Sequence, residues 1–221
     1  MGVLKTITDE YFGDSIRKED EIDISDLDVE IFSFTDKNGK FHKHGYRVID
    51  GNPDEMAKTL KILIKRIIEK RGTECSLNDI DVSNQKKMCY GEDGGYGVFD
   101  KSDFNGDISG WDVSNVEDMY AMFYDAKSFN QSLNKWNVSN VKNMNLMFYN
   151  AKSFNQDISG WDVSNVENMV GVFYGASSFN QDISGWKVSN VKDMNLMFDY
   201  TPLEKNNNLP QWYLDKIYKK H

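Results

Sequence analysis

The chain has 221 residues, 26 Lys and Arg against 35 Asp and Glu, and a formal charge of -9, a length that suits one large domain or a domain with an appendage. Aromatic residues make up 13% of it, which argues against disorder, and no apolar run approaches the roughly 18 residues of a membrane span. Two cysteines, Cys75 and Cys89, cannot build a disulfide framework, and the acidic balance argues against general nucleic-acid binding, which needs a basic footprint.

At the N-terminus, Met1-Gly2 with Thr6 fits the loose myristoylation pattern. The apolar core of a secretory signal is missing, so a cytoplasmic location is the expectation for the chain as written. Residues 22–50 read as strands. Val29 to Phe34 reads as a strand running into Asp36–Lys40, where Asn38-Gly39 is a hairpin turn signal, and Phe41 to Val48 would be the return strand. Residues 1–36 carry 3 basic and 11 acidic side chains and residues 37–72 carry 10 and 4, so the two halves are expected to attract each other. A helix is expected over 53–71. Asn52 caps it, Pro53 suits its first position, Glu55 stands three after the cap and Gly72 ends it. Leu60, Leu63, Ile64, Ile67 and Ile68 draw its apolar stripe, with Lys61, Lys65, Arg66, Lys70 and Arg71 away from it. Such a helix can lie on a membrane surface or cap the array that follows, and its position favours capping.

That array is the dominant feature. Trp111, Trp136, Trp161 and Trp186 stand 25 residues apart, as do Phe104, Phe129, Phe154 and Phe179, and Phe123, Phe148, Phe173 and Phe198. The unit at 104–128 recurs three times without insertion or deletion as far as Phe198. Within it, Trp111 and Val113 alternate with Gly110, Asp112 and Ser114, the period of a short strand. Val116, Met119, Met122 and Phe123 then follow helical spacing, and Ser114 with Glu117 resembles a capping box. The Met and Phe stripes read as core rather than as a cofactor box, and the Trp column as a stacked ladder whose indole N–H groups need partners at its rim. A degenerate coil precedes the regular ones. Its Leu77, Ile80, Val82, Ser83, Asn84 and Met88 align with Ile108, Trp111, Val113, Ser114, Asn115 and Met119. The Cys89–Gly97 stretch lengthens this coil and is either a loop on a binding face or an idle glycine-rich turn. At the far end, Trp212 falls one residue late, and a helix over 212–218 would close the stack.

These readings predict an α/β solenoid of leucine-rich-repeat type, with strand–helix coils of 25 residues. An α+β cap at 1–74 and a short helical cap at 204–221 flank an array at 75–203.

Candidate chemistry is sparse. His42-x-His44 has no further ligand at metal spacing, so a solvated hairpin is the preferred reading. The Asp107, Asp157, Asp182 and Asp112, Asp162 columns are interrupted by Ser132, Asn137 and Lys187, which argues against calcium. The phosphate-binding and nucleophile-elbow motifs are missing. No catalytic residue, metal or cofactor is expected. What remains is the strand face. Lys135 replaces the glycine of Gly110, Gly160 and Gly185, while Asp112, Asn137, Asp162 and Lys187 form a column of changing charge. Ser114, Ser139, Ser164 and Ser189 form a constant one, attributable to helix caps. A changing column suits a recognition stripe and also an unconstrained exposed position.

The segment FNQDISGWDVSNVENMVGVFYGASS resembles the 25-residue repeat of the BspA-like leucine-rich repeat proteins, a domain of unknown function in early catalogues. The likeness covers residues 75–213, including Leu-Asn-Asp-Ile-Asp-Val-Ser-Asn at 77–84 and the Pro-Gln-Trp-Tyr ending. Members occur in bacteria, mycoplasmas, some protists and large viruses, and many are surface lipoproteins or adhesins. The resemblance therefore implies binding rather than catalysis, although this chain departs from those relatives in lacking a signal peptide, lipobox or wall anchor. The expectation is a monomer that binds another protein through Asp112, Asn137, Asp162, Lys187, Lys135, Ser114, Ser139, Ser164 and Ser189. Two alternatives stand beside it: a separate activity in residues 1–50 with the repeats as a targeting arm, or an acidic, immunity-type blocker of a basic partner.

Overall fold

A computed structural model describes residues 22–91 and 95–218. The myristoylation pattern, residues 92–94 of the glycine-rich insertion and His221 lie outside the described residues. In chain order the elements are strands β1 (Val29–Thr35) and β2 (Phe41–Val48), helix α1 (Pro53–Arg71), strands β3 (Cys89–Tyr90) and β4 (Tyr96–Gly97), and helices α2 (Pro202–Lys205) and α3 (Gln211–Tyr218).

Between β4 and α2 the repeating units contain neither a helix nor a strand longer than one bridging residue. The strand expected at Trp111–Val113 is irregular backbone between two turns, and the helix expected after it is replaced by turns. The reason lies in where the backbone N–H groups point. Met119, Ala121, Phe123 and Asp125 donate to the carbonyls of Asn143, Asn145, Met147 and Tyr149 in the next unit, at 2.7–2.9 Å. The N–H groups between them close turns inside the unit: Met122 to Met119, Tyr124 to Ala121 and Ala126 to Phe123. A helix would use every N–H in a bond four residues back; here every other one is spent on a neighbour. Left-handed residues recur at the turns, with Ala121, Leu146, Gly171 and Leu196 at φ 49–59 and Asp125, Asn150, Gly175 and Tyr200 at φ 54–68. Ser114 and Glu117 form no capping box. Glu117 pairs instead with Lys142, and its N–H goes to the Lys86 carbonyl.

Val116, Met119, Met122 and Phe123 are nonetheless all buried, so helical spacing found the core without a helix. The same interactions repeat from unit to unit. Parallel bridges link Lys87 to Asp118, Asp118 to Asn143, Asn143 to Asn168 and Asn168 to Asp193. Phe99, Phe123, Phe148, Phe173 and Phe198 stack successively at centroid distances of 5.3–5.9 Å. Each Trp indole N–H donates to a carbonyl of the preceding coil: Trp111 to Leu77, Trp136 to Ile108, Trp161 to Leu133 and Trp186 to Ile158. Asparagine does the same work at two more positions. Asn130, Asn155 and Asn180 donate their N–H groups to the side-chain oxygen of the asparagine 25 residues earlier, and the Asn115, Asn140, Asn165 and Asn190 amides bond the Ser83, Ser114, Ser139 and Ser164 carbonyls. A unit whose buried polar groups are satisfied only by its neighbours has no reason to fold by itself.

Both ends of the stack are covered. β2 pairs with β1 in an antiparallel hairpin and also supplies the rung before the first coil: Tyr46 bridges Ile80, and the Val48 carbonyl accepts from the Asn84 amide, as Ser83 accepts from Asn115. Helix α1 begins with the expected capping box of Asn52 and Glu55, and buries Leu60, Leu63, Ile64 and Ile67 in one cluster with Leu77, Ile80 and Val82. Four of its basic residues are engaged: Arg66 with Asp26, Arg71 with Asp79, Lys65 with Glu69, and Lys61 with Asp100 and the Gly97 carbonyl. At the other end Trp212, late by one residue, stacks on Trp186 at 6.4 Å and donates to Ile183, while Tyr213 meets Phe198 edge-on.

Candidate binding face

The middle column is built by a local rule. Asp112, Asn137 and Asp162 each accept the N–H of the serine two residues on, Ser114, Ser139 and Ser164, at 3.0–3.1 Å. This is a turn that aspartate and asparagine close equally well, which explains why those two residue types alternate there. The serines are therefore held through their own N–H groups and not spent as helix caps. Burial raises the Asp112 pKa, but hydrogen bonds from Ser114 and Lys37 outweigh it and leave the carboxyl below its ordinary value. Asp162 is also held low, by its bonds from Ser164 with Lys187 assisting. Asp107, Asp157 and Asp182 close the same kind of turn with Ser109, Ser159 and Ser184. Both aspartate columns are thus occupied in turn formation, and among the described residues no group of three His, Cys, Asp or Glu could hold a metal.

The N-terminal hairpin divides this face in two. Its turn, residues 36–40, lies on the first unit. The Lys37 N–H donates to the Gly110 carbonyl at 3.0 Å, the Asn38 amide donates to Ser109 Oγ at 2.8 Å, and Lys37 Nζ stands 3.2 Å from Asp112. Lys135 Nζ donates to Asn38 Oδ1 at 2.8 Å. Asp112 and Lys135 are therefore engaged within the chain. Asp36 underlies the arrangement. It is buried, accepts the N–H groups of Asn38 and Lys40, and meets His42 Nε2 at 2.9 Å. His42 is accordingly not the solvated residue expected from the sequence; it is buried against Asp36 and stacked on Phe34. Beyond the hairpin, Asn137, Asp162, Lys187 and Ser189 are exposed, Ser139 and Ser164 are half-buried, and a side chain built on Gly160 or Gly185 would meet nothing within 4 Å.

A second surface was missed in the sequence. Tyr124, Tyr149 and Tyr174 stack at 4.9 and 4.6 Å, and Tyr200 closes the row edge-on at 5.1 Å. Burial and the Tyr200 hydroxyl push Tyr174 up to about 12. Exposed Leu196, Tyr200 and Tyr96 belong to the same stretch of the repeat or border it. The signal was available in the Phe-Tyr pairs at 123–124, 148–149 and 173–174. A shallow polar groove of about 460 Å³ also runs along Asn140, Asn165 and Asn190 beside Lys142, Glu167 and Lys192, where lysine and glutamate pair across adjacent units.

Among the described residues no helix is long and apolar enough to cross a membrane. Neither the curated proteins nor the solved structures contain a match to this chain. A family described as Mycoplasma protein of unknown function, DUF285, matches residues 95–217, more than half of the chain and all four regular units. The chain belongs to the DUF285 family.

Proposed function

We propose that the chain is a monomeric, non-enzymatic protein-binding solenoid of the BspA-like leucine-rich-repeat kind, which recognises another protein through the uncovered part of its Trp-side face. Residues 75–203 are the array, residues 1–74 and 204–221 its caps. Asn137, Asp162 and Lys187, with the serines beside them, make the polar contacts. The single observation that carries the reading is the open ground at Gly160 and Gly185, which lets a partner's backbone approach between exposed residues of both charges. A surface held by unit-to-unit hydrogen bonds changes little on binding. The hairpin shares a hydrogen-bonded rung with the first coil, which favours a cap over a separate activity in residues 1–50.

The test is capture of host proteins by the wild-type chain and by Asp162→Lys/Lys187→Glu. Asp112 is left alone because it holds the hairpin. Partners lost with the double variant but kept by Leu196→Glu support the reading. Partners lost only with Leu196→Glu move binding to the tyrosine side. An acidic blocker would instead lose its partner steeply as salt rises, whichever column is changed.

A further inference from the structure

The hairpin turn shows what this face can hold. Residues 107–117 and 157–167 are identical, Asp-Ile-Ser-Gly-Trp-Asp-Val-Ser-Asn-Val-Glu, and the two copies close the same turns, although Gly110 and Asp107 are also bonded by Asn78. The backbone N–H groups of Trp111 and Trp161 donate to the Ile108 and Ile158 carbonyls at 3.2 and 3.1 Å. The Ser109 and Ser159 backbone N–H groups donate to the Asp107 and Asp157 carboxylates at 2.8 and 2.9 Å, and those of Ser114 and Ser164 to Asp112 and Asp162 at 3.1 and 3.0 Å. In the first copy the turn at 36–40 uses three anchors: the Gly110 carbonyl, the Ser109 hydroxyl and the Asp112 carboxylate. It sits so close that a Cβ on Gly110 would stand 2.8 Å from Asp36 Oδ2. In the third unit the same three anchors, Gly160, Ser159 and Asp162, are exposed, and the space over Gly160 is open. The other units lack the set: the second has Asn134-Lys135 in place of Ser-Gly, and the fourth has Lys187 in place of the aspartate.

Resting on the face reading above, we infer that Ser159, Gly160 and Asp162 form a docking site for a tight turn of another protein that carries a Lys-Asn pair at its tip. The partner's backbone N–H donates to the Gly160 carbonyl, its asparagine amide donates to Ser159 Oγ, and its lysine pairs with Asp162. Charge decides the polarity of the partner, because a carboxylate at this position selects a basic tip. Two differences set the affinity below that of the intramolecular contact. Gly185 stands where Lys135 assists Asn38 in the first unit, and Lys187 beside Asp162 competes for its charge. A separate molecule also lacks the high effective concentration of a tethered turn.

The probe is a cyclised peptide carrying residues 34–42 (Phe-Thr-Asp-Lys-Asn-Gly-Lys-Phe-His), fluorescently labelled and titrated against the full chain. Saturable binding is expected, with amide shifts at 158–164. Gly160→Gln, whose side chain enters open space, should weaken it about tenfold by blocking the backbone approach. Asp162→Asn keeps the turn acceptor and should weaken it a few-fold, as for one exposed charge pair. Gly185→Gln should leave it unchanged. Urea midpoints equal to that of wild type establish that the variants fold. The inference is overturned by no binding, by binding indifferent to Gly160→Gln, or by shifts at Gly110 that report displacement of the chain's own turn. Self-association that Gly160→Gln abolishes, with no peptide bound, also overturns it and makes a second copy the occupant. Capture of a host protein that needs Lys187 but ignores Gly160→Gln removes this inference and leaves the face reading standing.

Discussion

The tryptophan column shows how one residue type can serve both packing and polar satisfaction. Each indole is buried, and its N–H reaches a carbonyl of the preceding coil, so a truncation in mid-array removes apolar contacts and strands an acceptor together. Trp136→Ala is expected to destabilise the chain by about 3–5 kcal/mol, and Trp136→Phe by about 1 kcal/mol for the hydrogen bond alone plus a smaller packing loss. Urea unfolding of both variants checks this, and an unchanged midpoint for the alanine variant would contradict the inward placement. The column itself was legible from its 25-residue step. Its hydrogen-bond partners were not, because periodicity tells which side chains are buried but not what lies in the unit before. The same limit applied to the Asp and Asn column, where the sequence does not show that Asp112, Asn137 and Asp162 each close a turn on a serine N–H.

At the level of elements, helix α1 was fully legible, since cap, stripe and terminating glycine are all local signals. The turns of the repeat were not, because a three, three, one spacing of buried residues is produced equally by a helix and by turns that send alternate N–H groups to a neighbour. Backbone conformation separates the two. Leu146 holds φ 57, where a β-branched residue is disfavoured, so Leu146→Ile is expected to cost about 1–2 kcal/mol with side-chain volume unchanged; in a helix the swap would cost only a few tenths. A midpoint shift below that range would contradict the turn construction. The docked hairpin makes a prediction in pH. Burial raises the Asp36 pKa, but the hydrogen bonds from His42, Lys40 and Asn38 prevail and hold it below its ordinary 3.8. A carboxyl depressed on folding contributes stability above its unfolded value and loses it as pH falls through the folded one. The turn should therefore stay on the first unit at neutral pH and loosen only as pH falls below the ordinary 3.8, seen as a shift of the Gly110 amide, and Asp36→Ala, which removes the acceptor of the Asn38 and Lys40 N–H groups, should release it at all pH values. That contact was invisible in the sequence because Asn38 and Ser109 are 71 residues apart.

For the molecule as a whole, the unit-to-unit bonds mean that stability belongs to neighbours and to the covers at each end. The apolar stripe of α1 is buried with Leu77, Ile80 and Val82, so residues 1–74 expressed alone are expected to unfold or aggregate. A cooperative transition from that fragment would revive the reading of a separate N-terminal domain. The covers also explain which part of the face is free: the hairpin claims Ser109, Gly110, Asp112 and Lys135, and Ser159, Gly160 and Asp162, in the segment of identical sequence two units on, stay open. The most direct measurement is site-specific photo-crosslinking in host lysate from chains carrying the reactive group at position 184 on the Trp side, which leaves Lys187 in place, or at position 200 on the tyrosine side. A discrete protein adduct from position 184 that Asp162→Lys abolishes is the predicted result. Adducts from position 200 alone, or from neither position, would contradict the placement of the binding face.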